Sequence, residues 1–478
     1  MAFKKPAEIT APPQIYWAKL GGEYLLTNDA GEHARLAPAQ FRTFLRTGAP
    51  PPESSALSAL RDTGFIRSRL DFDDQTAKRR LSNAYLDRGP GLHILVLTLR
   101  CNHKCLYCQA GAAGAAASGT DMRLRSLRKS LDFALSAPGG GLTIEFQGGE
   151  PLLNWAALQE AVLYGERKAR AAAKEIRFSL VSNLSLMTEE KAAFLIAHNI
   201  AVCASLDGPA GLHNKNRVFA GGDSHALTVK WLKYFQEKYG KNPDCGPAAL
   251  LTVSRHSLGR EREIVDEYAR LGLSSIFIRP LTPIGFARPL WDRLGYTAAE
   301  FTDFYRKSLA RIIAVNKKGI LLKEKTAYLL LKKVLGFKDN KYVDLRSPCG
   351  AGLGQLAYNF NGDIYTCDEA RMLAREGDEL FRIGGVFKDD YARVISSATV
   401  KACAAASCLE SQPSCARCVW KPYCGVCPVY NYRTQESLWG YLPANERCRI
   451  LKGVFETVFH LLKNKKNETI FRAWLEKP

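Results

Sequence analysis

Between residues 92 and 285, short apolar runs alternate with longer stretches in which apolar positions recur every three or four residues. A bounded run of apolar and β-branched residues predicts a buried strand; a three-to-four period over ten or more residues predicts an amphipathic helix. By this rule strands are predicted near 92–99, 142–147, 175–181, 200–206, 247–253 and 275–280. Helices are predicted near 123–136, 155–173, 188–198, 225–238 and 258–271. Strand–helix units with near-continuous apolar strands predict an α/β fold in which helices cover a parallel sheet.

The flanks are patterned differently. Residues 1–90 contain no Cys and predict a small separate module. Strands at 24–27 and 34–36 are joined by Asn28-Asp29-Ala30-Gly31, and helices follow at 38–46 and 54–64, a winged-helix-like order. Residues 67–91 predict a charged linker closed by Gly89-Pro90-Gly91. Residues 286–345, helical over 298–337, predict a bridge to a Cys-rich region at 346–450, and residues 451–478 predict a final helix.

The chain has 478 residues, enough for about three domains. No apolar run approaches the roughly 20 residues that span a bilayer, and the Met-Ala-Phe-Lys-Lys-Pro start has no signal-peptide core, so a cytoplasmic protein is expected. Fourteen cysteines in a reducing compartment are expected as metal ligands rather than disulfides. The net charge of +20 is spread along the chain without an aromatic-interleaved basic stripe, so solvated helix faces explain it and no nucleic-acid partner is expected.

The predicted 92–99 strand delivers Cys101, Cys105 and Cys108 on its C-terminal loop. Four thiolates usually hold an iron–sulfur cubane, so a C-x3-C-x2-C trio leaves one iron without a protein ligand. The alternative is a zinc knuckle using His103, although this spacing is uncommon for zinc. The trio, with Tyr107 before its last Cys, resembles the signature of the radical S-adenosylmethionine (SAM) superfamily. That resemblance implies a partial (β/α)6 barrel with ligands at the strand C-terminal ends, a [4Fe–4S] cluster chelating SAM, and a 5′-deoxyadenosyl radical. Gln147-Gly148-Gly149-Glu150-Pro151 after the second strand resembles the family's GGEP motif, which holds the SAM amino group. Two glycines permit close backbone approach to a ligand, and Glu150 can accept from a cationic amine. By the same resemblance Ser182 and Asn183 face the SAM ribose and Ser205 and Arg217 the SAM carboxylate, with Asp207 and His213 facing the site. A polar loop capping the next helix is the structural alternative for this last group. The backbone of Arg279-Pro280-Leu281-Thr282-Pro283-Ile284-Gly285 resembles the element against which adenine stacks. An Ala/Gly-rich stretch from Ala110 to Thr120 departs from the family and predicts a flexible insertion.

Cys349, Cys367 after Gly362, the Cys415-Ala416-Arg417-Cys418 pair, Cys424, Cys427 and Cys448 follow in an order that resembles the SPASM domain. That implies two auxiliary [4Fe–4S] clusters, one on Cys415, Cys418, Cys424 and Cys448. The other would use Cys349, Cys367 and Cys427, its fourth ligand being Cys403, Cys408 or a substrate group. A zinc ribbon would account for four of these ligands and leave three orphans. Asp368, beside Cys367, corresponds to a candidate proton acceptor in sulfatase-maturing relatives; a helix cap is the alternative. Cys203 and Cys245 are expected as small buried residues.

Together these resemblances imply radical modification of a ribosomally made precursor peptide, with an electron donor such as flavodoxin or ferredoxin. The N-terminal module resembles peptide-recognition modules to which an extended leader adds as a strand, a ligand-free spacer being the alternative. Thr98-Leu99-Arg100-Cys101-Asn102-His103, residues 279–286 and Cys367-Asp368-Glu369-Ala370-Arg371-Met372 resemble the maturase family of the His-Xaa-Ser repeat system, HxsB. An anaerobic sulfatase-type protein maturase and a non-catalytic iron–sulfur electron carrier are the other readings.

Overall fold

The computed structural model describes residues 14–48, 60, 63–67, 70–239, 246–337 and 342–476. Its centre is a ten-stranded sheet. Leu92–Thr98, Gly141–Gly148, Glu175–Ser182, Ala201–Ser205, Ala248–Thr252 and Ser275–Arg279 pair in chain order, each parallel to the next. Helices Leu124–Leu135, Trp155–Ala171, Glu189–Ala197, Ser224–Tyr239 and Glu261–Arg270 make the crossovers that parallel neighbours require. Lys323–Glu324 extends one edge in parallel. On the other edge Gln355–Tyr358 pairs in parallel with Leu92–Thr98 and continues into antiparallel Asp363–Tyr365 and Arg382–Gly385. The sheet thus runs unbroken from the first strand into the Cys-rich region.

Only the first of these strands has the near-continuous burial expected from the sequence. In the later ones Ile144, Phe146, Leu180, Val202, Leu251 and Ile278 are buried in the core, while Glu145, Gln147, Ser179, Cys203, Thr252 and Arg279 alternate with them and are half-buried. Successive side chains point to opposite faces, so the second set lines the inner, polar face of the curved sheet.

Tyr16–Leu20, Glu23–Thr27 and His33–Leu36 form an antiparallel sheet, followed by helix Pro38–Thr47, which ends at Gly48 in the left-handed region. Leu26, Leu36, Phe41, Phe44 and Phe65 give this module its own core. Strand Tyr16–Leu20 was not expected; its apolar stretch is short and is interrupted by Lys19, and Trp17 is exposed. The helix expected at 54–64 falls almost wholly outside the described residues, as does Cys245. The expected linker contains helix Phe72–Asn83, capped by the Asp71 carboxylate accepting from the Asp74 N–H at 2.9 Å. None of its residues is buried, so it has no apolar stripe to reveal it.

The module rests on the chain between Cys418 and Cys424. Thr27 Oγ1 donates to the Val419 carbonyl at 2.7 Å, the Tyr423 hydroxyl donates to the Gly31 carbonyl at 2.9 Å, and Lys421 Nζ lies 2.8 Å from the Tyr16 hydroxyl and 2.9 Å from Asp29. Helices Ala298–Asn316 and Lys325–Val334 occupy the expected bridge, and two helices, Glu446–Leu462 and Lys465–Glu476, stand where one was expected. No helix among the described residues is long and apolar enough to cross a membrane.

His93 stitches the first strand to its new neighbour. It is fully buried, with Nδ1 2.9 Å from the Tyr358 hydroxyl and Nε2 3.1 Å from the Pro90 carbonyl. Burial pushes its pKa down to about 4. The unfolded imidazole, near 6.5, binds a proton first, so its contribution is complete above about pH 6.5 and is lost as the pH falls toward 4. We predict that urea unfolding of the wild type between pH 7 and pH 5 loses about 1–2 kcal/mol more than that of His93→Gln. Equal losses in the two proteins would remove His93 from the acid response.

Candidate functional site

After Thr98 the chain forms two short bridging strands, Arg100–Cys101 and His103–Cys105. Arg100 Nε and Nη2 donate to the two Asp121 carboxylate oxygens at 2.8 and 2.7 Å, which clamps the start of the loop. Residues 110–120, expected as a flexible insertion, are instead tied to it: Ala113–Gly114 pairs in parallel with Arg100–Cys101, and the Ala113 N–H donates to the Leu99 carbonyl at 2.7 Å. Backbone pairing, which composition does not reveal, orders this strap.

Gly148 and Gly149 press against the same loop. A Cβ on Gly148 would lie 2.2 Å from the Thr98 carbonyl oxygen, and one on Gly149 2.3 Å from that of Arg100. The close backbone approach expected toward a ligand is therefore made at least in part toward the Cys loop itself. Glu150 is fully buried, and its carboxylate is already engaged. Oε1 accepts from the Leu152 N–H at 3.0 Å and Ser182 Oγ at 2.8 Å, and Oε2 accepts from the Asn183 N–H at 2.9 Å. Burial raises its pKa, and the bonds from Asn183, Leu152 and Ser182 counter that shift. Glu150 thus locks the end of the third strand to the second. Asn183 carries the link on, with Nδ2 3.1 Å from Asn102 Oδ1 and 3.0 Å from His103 Nδ1.

Beyond the fourth strand, where Ser205 is buried at the C-terminal end, the expected polar loop is a short helix, Ala210–Asn216, followed by strand Arg217–Phe219. That strand pairs antiparallel with His103–Cys105 and sets Arg217 opposite Cys105. Asp207, fully buried, accepts from Arg217 Nε at 3.2 Å, from Asn216 Nδ2 at 3.1 Å and from the Tyr107 hydroxyl. The Arg217 guanidinium lies 5.4 Å from the Tyr107 ring centre. His213 accepts from the Asp207 N–H at 3.3 Å, and Ser224 Oγ lies 2.9 Å from His213 Nε2 and 2.8 Å from His103 Nε2. Burial holds both imidazoles well below their ordinary pKa, His103 at about 4. Ser224 and the Phe219 ring stacked 4.5 Å from His103 are partners that sequence reasoning missed, since only the cross-strand pairing brings them here.

The sixth strand's loop closes the far side. A Cβ on Gly285, whose φ is +63°, would lie 2.5 Å from the carbonyl oxygens of Cys108 and Gln109, and the Phe286 N–H donates to the Cys108 carbonyl at 2.8 Å. Behind it, Asp368 pairs with buried Arg371 at 2.6 Å, and Arg279 lies 3.7 Å from Glu369.

The C-terminal cysteines separate into two sets. Cys415, Cys418, Cys424 and Cys448 line one cavity, and Cys427 borders it as well. Cys349, Cys367 and Cys427 lie in a second buried cluster. Among the described residues no three His, Cys, Asp or Glu side chains converge on a single ion-sized point. Burial pushes Cys101, Cys105, Cys403 and Cys415 up to about 12 and Cys427 to about 11. Burial alone therefore keeps these thiols protonated; it is the donor set, several soft thiols on neighbouring segments, that fits an iron–sulfur cluster, whose binding would deprotonate them.

Residues 95–246 match the radical SAM superfamily model. A radical SAM cyclopropyl synthase, TigE, of Paramaledivibacter caminithermalis is 26% identical over 193 residues, which is 37% of this chain and 40% of the relative, so this chain spans two fifths of that protein. A cysteine-type anaerobic sulfatase-maturating enzyme of Clostridium perfringens is 24% identical over 379 residues, 77% of this chain and 95% of the relative. The solved structure of native anSMEcpe with bound AdoMet matches with a TM-score of 0.65 at 20% identity, covering 79% of this chain and 100% of that one.

The Asp207–Arg217 pair yields a direct test. Removing one member leaves a buried charge unpaired, at a cost of about 3–5 kcal/mol. We predict that Arg217→Met lowers unfolding free energy by that amount and that Asp207→Asn/Arg217→Met recovers part of it. Additive losses in the double variant would show that the two charges do not act as a pair.

Proposed function

We propose that this chain, an enzyme with a radical SAM domain at residues 95–246, modifies a ribosomally made peptide of the His-Xaa-Ser type. Enzymes of this superfamily use a [4Fe–4S] cluster and SAM, which together supply a 5′-deoxyadenosyl radical able to abstract a substrate hydrogen. In this reading Cys101, Cys105 and Cys108 hold that cluster. Gly148, Gly149 and Glu150 present the end of the second strand to SAM, Ser182 and Asn183 the end of the third, and Ser205 and Arg217 flank its carboxylate. The residues of the loop orient SAM and exclude water, while the chemistry is the cofactor's. Asp368, on the helix that starts after Cys367 and held by Arg371, is the proposed proton acceptor at the substrate. Cys415, Cys418, Cys424 and Cys448 form one auxiliary site, and Cys349, Cys367 and Cys427 belong to another. A flavodoxin or ferredoxin is the proposed donor, in the cytoplasm.

The observation that carries the peptide reading is the N-terminal three-stranded module seated on the Val419–Tyr423 segment between two proposed cluster ligands. A peptide strand added to such a sheet would be tethered next to the Cys-rich region. The polar inner face formed by Glu145, Gln147, Ser179 and Arg279 suits a peptide side chain better than an apolar metabolite. A second reading, a sulfatase-type protein maturase, is favoured by the similarity that spans 95% of the Clostridium relative.

Intact mass separates the two. A short precursor peptide encoded beside this gene, co-expressed anaerobically with the chain, is expected to change mass, and the change is expected to vanish with Cys101→Ala/Cys105→Ala/Cys108→Ala. An unchanged peptide with an iron-loaded enzyme that still cleaves SAM would overturn the peptide reading and favour the protein maturase.

A further inference from the structure

Helix Ala398–Ser407 carries a thiol that the seven-cysteine pattern leaves out. Cys403 is 1% exposed and lies in the same buried cluster as Cys349, Cys367 and Cys427. Its helix is bonded to one of them: Ser407 Oγ accepts from the Cys349 N–H at 2.9 Å and donates to the Cys403 carbonyl at 2.6 Å. Two others occupy helix N-termini, where Cys367 Sγ accepts from the Ala370 N–H and Cys427 Sγ from the Tyr430 N–H, both at 3.4 Å. At each position this N–H bond favours negative sulfur, against the burial that raises both thiols. Cys403 and Cys427 are near enough for the charge on one to raise the pKa of the other. Cys408 is placed differently. It caps the same helix, is half-buried, and aims its sulfur at the exposed Glu410 carboxylate, 3.4 Å away.

A buried Cys by itself is more often a small core residue. Here four buried thiols belong to one packed group of fourteen residues, with the Cys403 helix bonded to the backbone of Cys349, and a cubane takes four. Resting on the cluster reading above, we infer that Cys403 is the fourth ligand of the Cys349, Cys367 and Cys427 centre. Cys408 and substrate groups are excluded from that position, because with four protein thiolates this centre has no open iron and does not bind the peptide as a ligand.

The test uses the full-length chain, reconstituted with iron and sulfide without oxygen, in the Cys101→Ala/Cys105→Ala/Cys108→Ala background so that no other open iron is present. Cyanide is the probe for an open site, and electron paramagnetic resonance of the reduced protein is the readout. The background is expected to hold about eight irons per chain and to show no spectral change with cyanide. Adding Cys403→Ala is expected to create a cyanide-dependent signal or to halve the iron, and Cys403→Ser, which offers oxygen, is expected to keep the iron and shift the spectrum. Cys408→Ala is expected to match the background. A background that already responds to cyanide, or Cys403→Ala and Cys403→Ser spectra identical to it, would overturn the assignment. A background that binds no iron would overturn the two-cluster reading itself, and this ligand with it.

Discussion

The buried pairing of Asp207 with Arg217 is the constraint on which the loop carrying Cys101, Cys105 and Cys108 depends. Charges removed from water are tolerated only when their hydrogen bonds are complete, and Asp207 completes its own with donors from two segments, the Cys loop and the corner where a short helix runs into a strand. Tyr107 comes from the Cys loop, Asn216 from the end of a short helix, and Arg217 from the strand paired with His103–Cys105. Separation of the Asn216–Arg217 corner from Asp207 would leave two buried charges unpaired. The loop, the fourth strand's end and the Ala210–Asn216 helix are therefore held as one body. The chain of contacts through Ser224 and the two neutral histidines extends the same body toward Asn183.

Backbone contact holds the loop from the other sides. Gly148, Gly149 and Gly285 each leave no room for a Cβ between their backbone and a carbonyl of residues 98–109. The glycines come from the ends of the second and sixth strands, so the curved sheet itself grips the loop across its width. Glu150 adds a buried carboxylate that bonds the third strand to the second. These are constraints of a preorganised site, in which the positions of reacting groups are set before a ligand arrives.

The Cys-rich region is built into this arrangement. Gln355–Tyr358 continues the central sheet beside the first strand, and Glu376 accepts from the Gly285 N–H at 2.6 Å while pairing with Arg288 and Arg433. The loop of the sixth strand thus touches the Cys108 carbonyl on one side and the C-terminal region on the other. The N-terminal module is anchored in turn by the Val419–Tyr423 segment. Movement of the N-terminal module relative to the Cys415, Cys418, Cys424 and Cys448 set would break buried hydrogen bonds, which ties substrate recognition mechanically to that auxiliary site under the function proposed here.

The periodicity of apolar residues alone located the six consecutive strands from Leu92 to Arg279 and their five helices, because burial against helices imposes a local, repeating signature. It did not locate the parallel edge strands Lys323–Glu324 and Gln355–Tyr358. The C-x3-C-x2-C spacing put Cys101, Cys105 and Cys108 on one loop after the first strand, where the chain carries them. Local pattern could not reveal contacts between distant segments. Helix Phe72–Asn83 buries nothing and so carries no stripe. The strap over residues 110–120 is held by backbone pairing with Arg100–Cys101, to which its side chains contribute no pattern. That Glu150 is consumed by strand ends, that Arg217 faces Cys105, and that Cys403 rather than Cys408 turns inward are each decided by tertiary packing. Burial, strand register and the need to satisfy every enclosed charge set these choices, and all three exist only once the chain has closed on itself.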